Sequence, residues 1–369
     1  MLVVAGAGFA RGAATGPTPI RFLFTSDAHY GLHRAQFRGR TDVDAQTVNR
    51  ALVAAMNDVG RLVGPIDFIV EGGDVSNREE ELDGVSVQVA SVSWAQFDSD
   101  YYGGLRVRTS TGAYAPLYVV PGNHDLSNAI GFVKPLQPPT DSAALLSMFN
   151  RMLHPAPIMT SGTFHATSDR VNFSNTIGGV HFVFVGLWPD SIARTWLDRD
   201  LAVLPSSMPV VLFTHDPPGV EAKHFRNPNG THDLNDQDRF ENLLADVFED
   251  GTTIDAPALI EQRTLEGFVQ RHANIVTYFH GHSNYNEFYD WAGPDHSLSL
   301  HTFRVDSPMK GAVSAYDETA LSFQLATVAA DGSTLTVKEC LWNVEAMSTS
   351  PIVWGEERTV DLHGRSTAP

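Results

Sequence analysis

From Ile20 onward, short apolar runs rich in β-branched and aromatic residues alternate with stretches of helical periodicity. Ile20–Ser26 (IRFLFTS) has the length and composition of a buried strand. A helix follows, with Thr41 or Asp42 as its cap and Val48, Leu52, Met56, Val59 and Val63 along one face. Further strands are predicted at Phe68–Val70, Leu117–Val120, His181–Leu187, Val210–Phe213 and Ile275–Phe279, and helices at Asp141–Leu153, Ser191–Leu201, Glu241–Phe248 and Leu259–Arg271. This alternation predicts an α/β or layered α+β fold. Near the end the pattern changes. Ser297–Val305 alternates apolar and polar residues, and Leu321–Val328 and Thr334–Leu341 flank the hairpin signal Asp331-Gly332. The strands from about residue 297 are therefore expected to be antiparallel and to form a second sheet packed on the first. No internal repeat, heptad or linker interrupts the chain, so 20–369 reads as a single domain. The polar stretch Glu221–Arg239 reads as a surface loop over the site.

Composition narrows the choice. A chain of 369 residues with 43% hydrophobic and 18% charged residues is globular. Its net charge of −18 argues against an extended nucleic-acid partner or a generic anionic-membrane binder. A small anionic substrate remains compatible with that charge where the site carries its own positive charge. The single Cys340 excludes an intrachain disulfide and a cysteine-based zinc site. No apolar run is long enough to span a membrane. Residues 1–19 read as a leader, either disordered or the remnant of a signal peptide. Met1–Gly16 is short, apolar and rich in small residues but lacks a basic start. On that basis export, to the periplasm or outside the cell, is favoured over a cytoplasmic location.

The chemistry lies where each apolar run stops. The five strand ends read Thr25-Ser26-Asp27-Ala28-His29, Glu71-Gly72-Gly73-Asp74, Pro121-Gly122-Asn123-His124-Asp125, Thr214-His215-Asp216 and His280-Gly281-His282-Ser283-Asn284. Ligands bind at the carboxyl edge of open α/β sheets, so these groups are expected to converge. Asp, His and Asn without thiolate suit Mn, Fe, Zn or similar divalent ions. The set exceeds the needs of one tetrahedral ion, whereas a bridging carboxylate can hold two ions about 4 Å apart.

In their order these blocks closely resemble the calcineurin-like metallophosphoesterase superfamily, whose pattern is D-x-H, GD, GNH-D/E, a strand-end H and GH-x-H. The matching residues are Asp27-x-His29, Gly73-Asp74, Gly122-Asn123-His124-Asp125, His215 and Gly281-His282-x-Asn284. The resemblance implies a four-layer α/β/β/α sandwich of two mixed sheets flanked by helices, with two divalent metal ions between the sheets. It implies that Asp27, His29 and Asp74 hold the first ion, Asp74 bridging, and that Asn123, His215 and His282 complete the second. It implies His124 as the catalytic group beside the scissile phosphate, and a metal-activated hydroxide attacking phosphorus in line. The implied substrate is a small phosphate ester, monoester or diester.

Two departures from the family pattern stand out. The family's last histidine is Asn284, whose amide oxygen ligates more weakly than imidazole. Val75-Ser76-Asn77-Arg78 lacks the GDxxDRG form of protein Ser/Thr phosphatases and the tyrosine of purple acid phosphatases, so neither subfamily is expected. The competing reading is a catalytically weakened scaffold or binding protein on the same fold, which only Asn284 favours. A Ser-His-Asp hydrolase finds no G-x-S-x-G elbow. His280 is expected to bond locally, His224, Arg226 and His232 to lie in the surface loop, and Trp94, Phe97, Tyr101 and Tyr102 to pack or to line a pocket.

Overall fold

The structure is a computed structural model and describes residues 18–77, 88–126, 143–164, 169–225 and 257–364. The first strand, β1 (Ile20–Thr25), sends its side chains in two directions, as a strand with period two must. Phe22 and Phe24 enter one apolar cluster and Leu23 enters another. The first cluster fills the space between two six-stranded sheets. The second lies on their outer sides, under the helices.

In chain order the elements are β1, β2 (His33–Phe37), β3 (Arg40–Asp44), α1 (Ala45–Val63), β4 (Phe68–Glu71), α2 (Ala90–Phe97), β5 (Leu117–Val119), α3 (Asn123–Leu126), α4 (Ala143–Leu153), β6 (Asn172–Ile177), β7 (Val180–Val185) and α5 (Ser191–Leu201). They continue with β8 (Val210–Phe213), α6 (Leu259–Arg271), β9 (Ile275–His280), β10 (Glu287–Trp291), β11 (Leu300–Arg304), β12 (Ser322–Val328), β13 (Thr334–Leu341) and β14 (Val353–Asp361). One sheet runs β14-β13-β12-β1-β4-β5 and the other β10-β11-β9-β8-β7-β6, with β2 and β3 forming a separate hairpin. Both sheets are mixed. Strands β1, β4 and β5 are parallel, as are β7, β8, β9 and β11, while the remaining neighbours are antiparallel.

The space between the sheets is occupied largely by phenylalanine. Phe22 stacks on Phe68 at 4.8 Å, while Phe184, Phe213, Phe279 and Phe303 form a stacked ladder with centroids 4.8–5.0 Å apart. Edge contacts such as Phe22–Phe213 at 5.4 Å join the two sheets. Each buried ring contributes about 1.5–3 kcal/mol through removal from water, so this layer fixes the relation of the two carboxyl edges. Leu23, Ile69, Val183, Leu212 and Tyr278 share the outer cluster with Val48, Leu52, Met56 and Val59 of α1, Leu197 of α5, and Leu265 and Val269 of α6. These contacts make the α/β/β/α layering that the sequence motifs imply.

Two expectations need correction. The cap of α1 is Asp44, whose carboxylate accepts from Thr47 N at 2.8 Å, while Thr41 and Asp42 lie in β3. The apolar period alone does not show where the preceding hairpin ends. The strands after residue 297 do not stay together either. β11 pairs with β9, whereas β12–β14 extend the sheet of β1, with Leu23 opposite Leu325. Both neighbours are equally apolar, so only pairing in three dimensions distinguishes them. The predicted helix Glu241–Phe248 and the leader to Gly16 lie outside the described residues. Among the described residues no helix is long and apolar enough to cross a membrane.

Candidate metal centre

The carboxyl ends of β1, β4, β5, β8 and β9 meet at one edge of the sandwich. Backbone bonds hold them there: Asp27 N donates to Gly73 O at 2.8 Å, His29 N to Asp74 O at 2.9 Å, and Gly281 N to His215 O at 3.0 Å. Leu187 N donates to Pro121 O at 2.9 Å and so ties the end of β7 to the end of β5 in the other sheet. Turning sharply out of a strand puts several of these residues in the left-handed region. Asp27, His29, Asp74, His282 and Asn284 have φ between 43° and 65°, five of the eleven such non-glycine residues described. Each costs on the order of 1 kcal/mol or more, so backbone strain is concentrated where the chemistry was expected. Gly122 and Gly281 are limited by space and not by conformation. A Cβ on Gly122 would sit 2.2 Å from Asp74 Oδ1, and one on Gly281 would sit 2.3 Å from Asp27 Oδ2. They are needed for space.

Four donor atoms converge tightly. Asn123 Oδ1 is 3.1 Å from His215 Nε2 and 3.1 Å from His282 Nδ1, those two ring nitrogens are 3.3 Å apart, and Asp74 Oδ2 is 3.2 Å from His215 Nε2. Donors sharing an ion at about 2.1 Å are about 3.0–3.5 Å apart, so these spacings fit one divalent cation. His215 Nδ1 is 2.9 Å from Gly72 O, which can only accept, so the hydrogen is on Nδ1 and Nε2 is directed at the cluster. The other side of Asp74 is looser. His29 Nε2 is 3.5 Å from Asp27 Oδ1 and 3.9 Å from Asp74 Oδ2. Neither ring nitrogen of His29, nor Asp27 Oδ1, nor Asn284 Oδ1 has a hydrogen-bond partner, although all are buried. Buried polar groups are almost always satisfied, and cations of the Mn, Fe or Zn type would satisfy these.

His124 lies against the same carboxylate. Its N donates to Asp74 Oδ1 at 2.8 Å, its Nε2 is 3.7 Å from Asp74 Oδ2, and its ring meets His29 edge-on at 4.9 Å. Asn284 donates Nδ2 to His282 O at 2.7 Å, leaving its amide oxygen for another partner. All seven residues expected to bind metal are thus held at this edge, together with the expected catalytic histidine.

Electrostatics is that of a buried anionic cluster. Burial alone would raise the Asp74 carboxyl, but His215, His124 and His29 hold it well below its usual range. Burial would lower His215, yet Asp74, Asp27 and Asp216 keep it well above an ordinary histidine. A divalent cation would take the place of that proton. His124 is pushed well down, first by burial; Asp74 pulls it up, and Lys310, His29 and His215 add to the lowering. Glu71, at the end of β4, is raised well above a normal carboxyl, first by burial and then by Asp27 and Asp125.

Several residues have roles that the sequence reading did not assign. Asp125 staples two strand-end loops, accepting from Val75 N, Ser76 N, Ser76 Oγ and Gly122 N at 2.9–3.2 Å. Lys310 sits on the loop after β11, and its charge lowers both His29 and His124. Ser307 positions that loop: its Oγ donates to Asp27 O at 2.9 Å and accepts from Lys310 N at 2.9 Å. The buried Arg34 of β2 clamps the same loop through Pro308 O and Ser314 O. His224 is not on the surface as expected. It is 1% exposed, and its Nδ1 is 2.5 Å from Asp216 Oδ2. Asp125 belonged to a motif and could have been questioned, but nothing in the local pattern marks Lys310 or His224. His280 bonds locally as expected, to Gly281 O and Tyr289 Oη at 2.9 Å each. Phe97 is core, while Tyr101 and Tyr102 line a separate cavity of about 720 Å³ that contains none of the candidate ligands. Arg226 and His232 lie outside the described residues.

Known proteins agree with this geometry at the level of fold and family. No curated protein matches the sequence at a significant level. A solved structure of PhoD is similar at 10% identity and a TM-score of 0.53, covering 97% of this chain and 73% of that one. A dimetal phosphatase from Danio rerio aligns at 11% identity and a TM-score of 0.48 over 94% of this chain and 99% of its own. At 10% identity the likeness to PhoD speaks to fold alone. The family model for calcineurin-like phosphoesterase matches residues 20–304, which contain every strand-end group described above, and the chain belongs to that family.

Proposed function

We propose that this protein is a metal-dependent hydrolase of small phosphoric esters with a centre for two divalent ions. The observation that carries the reading is the convergence of Asp74 Oδ2, Asn123 Oδ1, His215 Nε2 and His282 Nδ1 at spacings of 3.1–3.3 Å. In this reading Asp27, His29 and Asp74 hold the first ion, with Asn284 Oδ1 as its weaker fourth group. Asp74 bridges to the second ion, which Asn123, His215 and His282 complete. When bound, two such ions supply positive charge to the phosphoryl oxygens and lower the pKa of water at the site.

The chain's own groups do the rest. His215, anchored through Gly72 O, is held in a fixed ring orientation, which supports a preorganised site. His124 does not hold metal in this reading. It faces the substrate phosphate and donates a proton to, or stabilises charge on, the leaving oxygen. Lys310 adds positive charge beside His29 and His124, where an anionic ester would bind in a molecule of net charge −18.

Hydrolysis of p-nitrophenyl phosphate and its bis-ester tests the reading. Turnover is expected to vanish with EDTA and to return with Mn²⁺ or Zn²⁺. His124→Ala should keep both ions and slow turnover about 10²-fold or more. Absence of metal-dependent turnover on both esters, with both ions bound, would favour the scaffold reading instead.

A further inference from the structure

We propose that Asp216 is an additional, charged protein ligand of the second metal ion, held in place by His224. This rests on the two-ion reading above and adds a residue to it. Asp216 follows His215 at the end of β8 and is fully buried. Its backbone is fixed from three sides: Asp216 N donates to Leu187 O at 2.8 Å, and Asp216 O accepts from Thr214 Oγ1 at 2.8 Å and from Tyr278 Oη at 3.0 Å. The carboxylate divides its two oxygens. Oδ2 is 2.5 Å from His224 Nδ1, whose ring meets His282 edge-on at 5.0 Å. Oδ1 has no hydrogen-bond partner and lies 3.5 Å from His282 Nδ1, the same nitrogen that faces Asn123 and His215.

That separation suits two neighbouring ligands on one ion, and a buried carboxylate oxygen with no donor is costly unless a cation or proton meets it. Without Asp216 the second ion has only the shared carboxylate of Asp74 and three neutral donors. Asp216 gives it a carboxylate of its own. His224 then acts as a positioning residue: by engaging Oδ2 it leaves Oδ1 facing His282.

Metal-free wild-type protein is titrated with Zn²⁺ and Co²⁺, and compared with Asp216→Asn and His224→Asn. Wild type is expected to take up two equivalents. Asp216→Asn should keep the ion at Asp27 and His29 and lose more than about 100-fold in affinity for the ion at Asn123, His215 and His282, with an altered Co²⁺ visible spectrum. His224→Asn should lose about 10–100-fold with the wild-type spectrum retained, as removal of an outer partner does. Asp216→Asn binding both ions within about threefold of wild type, or weakened binding with an unchanged spectrum, would overturn ligation by Asp216 and leave the two-ion reading intact. Three equivalents in wild type would point instead to a separate site at Asp216, His224 and His282 and also overturn the proposal. No ion in wild type would remove both readings. A Mn²⁺-soaked wild-type crystal makes the same test without a variant: Oδ1 within about 2.5 Å of the second ion upholds ligation, and beyond about 3 Å overturns it.

Discussion

The two sides of Asp74 are built differently. Toward Asn123, His215 and His282 the donors already stand 3.1–3.3 Å apart, as if gathered on a point. Toward Asp27 and His29 they stand 3.5–3.9 Å apart, and the family's last histidine is replaced by Asn284. The tight side draws its groups from both sheets, which the phenylalanine layer locks together. On the loose side Asp27, His29 and Asn284 all take left-handed backbone, against His282 alone among Asn123, His215 and His282, and Ser307 ties its loop to Asp27. A prepaid arrangement costs less to fill, so the second position should bind its ion more strongly than the first.

The sharpest way to break this asymmetry is to remove the group both sides share. Asp74→Asn should abolish uptake of both ions and lower ester hydrolysis at least about 10³-fold, or ~4 kcal/mol of barrier, measured by metal analysis and turnover. His215→Ala should weaken binding at the tight position alone, about 100-fold, while the ion at Asp27 and His29 binds as before. Asn284→His should sharpen the comparison in the other direction. Restoring imidazole is expected to strengthen the first position about tenfold and to narrow the gap between the two titration steps, read by competition with a metal indicator.

A separate effect, on folding stability and not on metal affinity, concerns the loop behind the loose side. Burial pushes Asp306 up to about 8 from an ordinary 3.8. The native state therefore keeps a proton that the unfolded chain releases once pH passes 3.8. Unfolding free energy contributed by this group is full below that pH and is lost as pH rises toward about 8. The slope cannot exceed about 1.4 kcal/mol per pH unit, and it should flatten in Asp306→Asn when urea unfolding is followed from pH 5 to 8.

The pattern of buried runs ending in Asp, His and Asn was legible along the chain because both halves of the signal are local. An apolar run that must be buried ends where polar groups first appear, and a parallel sheet puts those ends on one edge. Asp27, His29, Asp74, Asn123, His124, His215, His282 and Asn284 could all be picked out on that ground. The cap at Asp44 was missed because the β2–β3 hairpin ahead of it is short and half polar, with no period to announce its end.

What the linear order of residues determined by itself was the layered α/β architecture and the identity of the groups at its carboxyl edge. Tertiary structure alone decided which sheet received β12–β14, that His224 would be buried against Asp216, and that Ser307 would bind Asp27 across 280 positions of chain. The physical reason is the range of the interactions. Periodicity and capping act within a few residues, whereas strand pairing and polar contacts between loops are selected by packing among partners that look equivalent in one dimension.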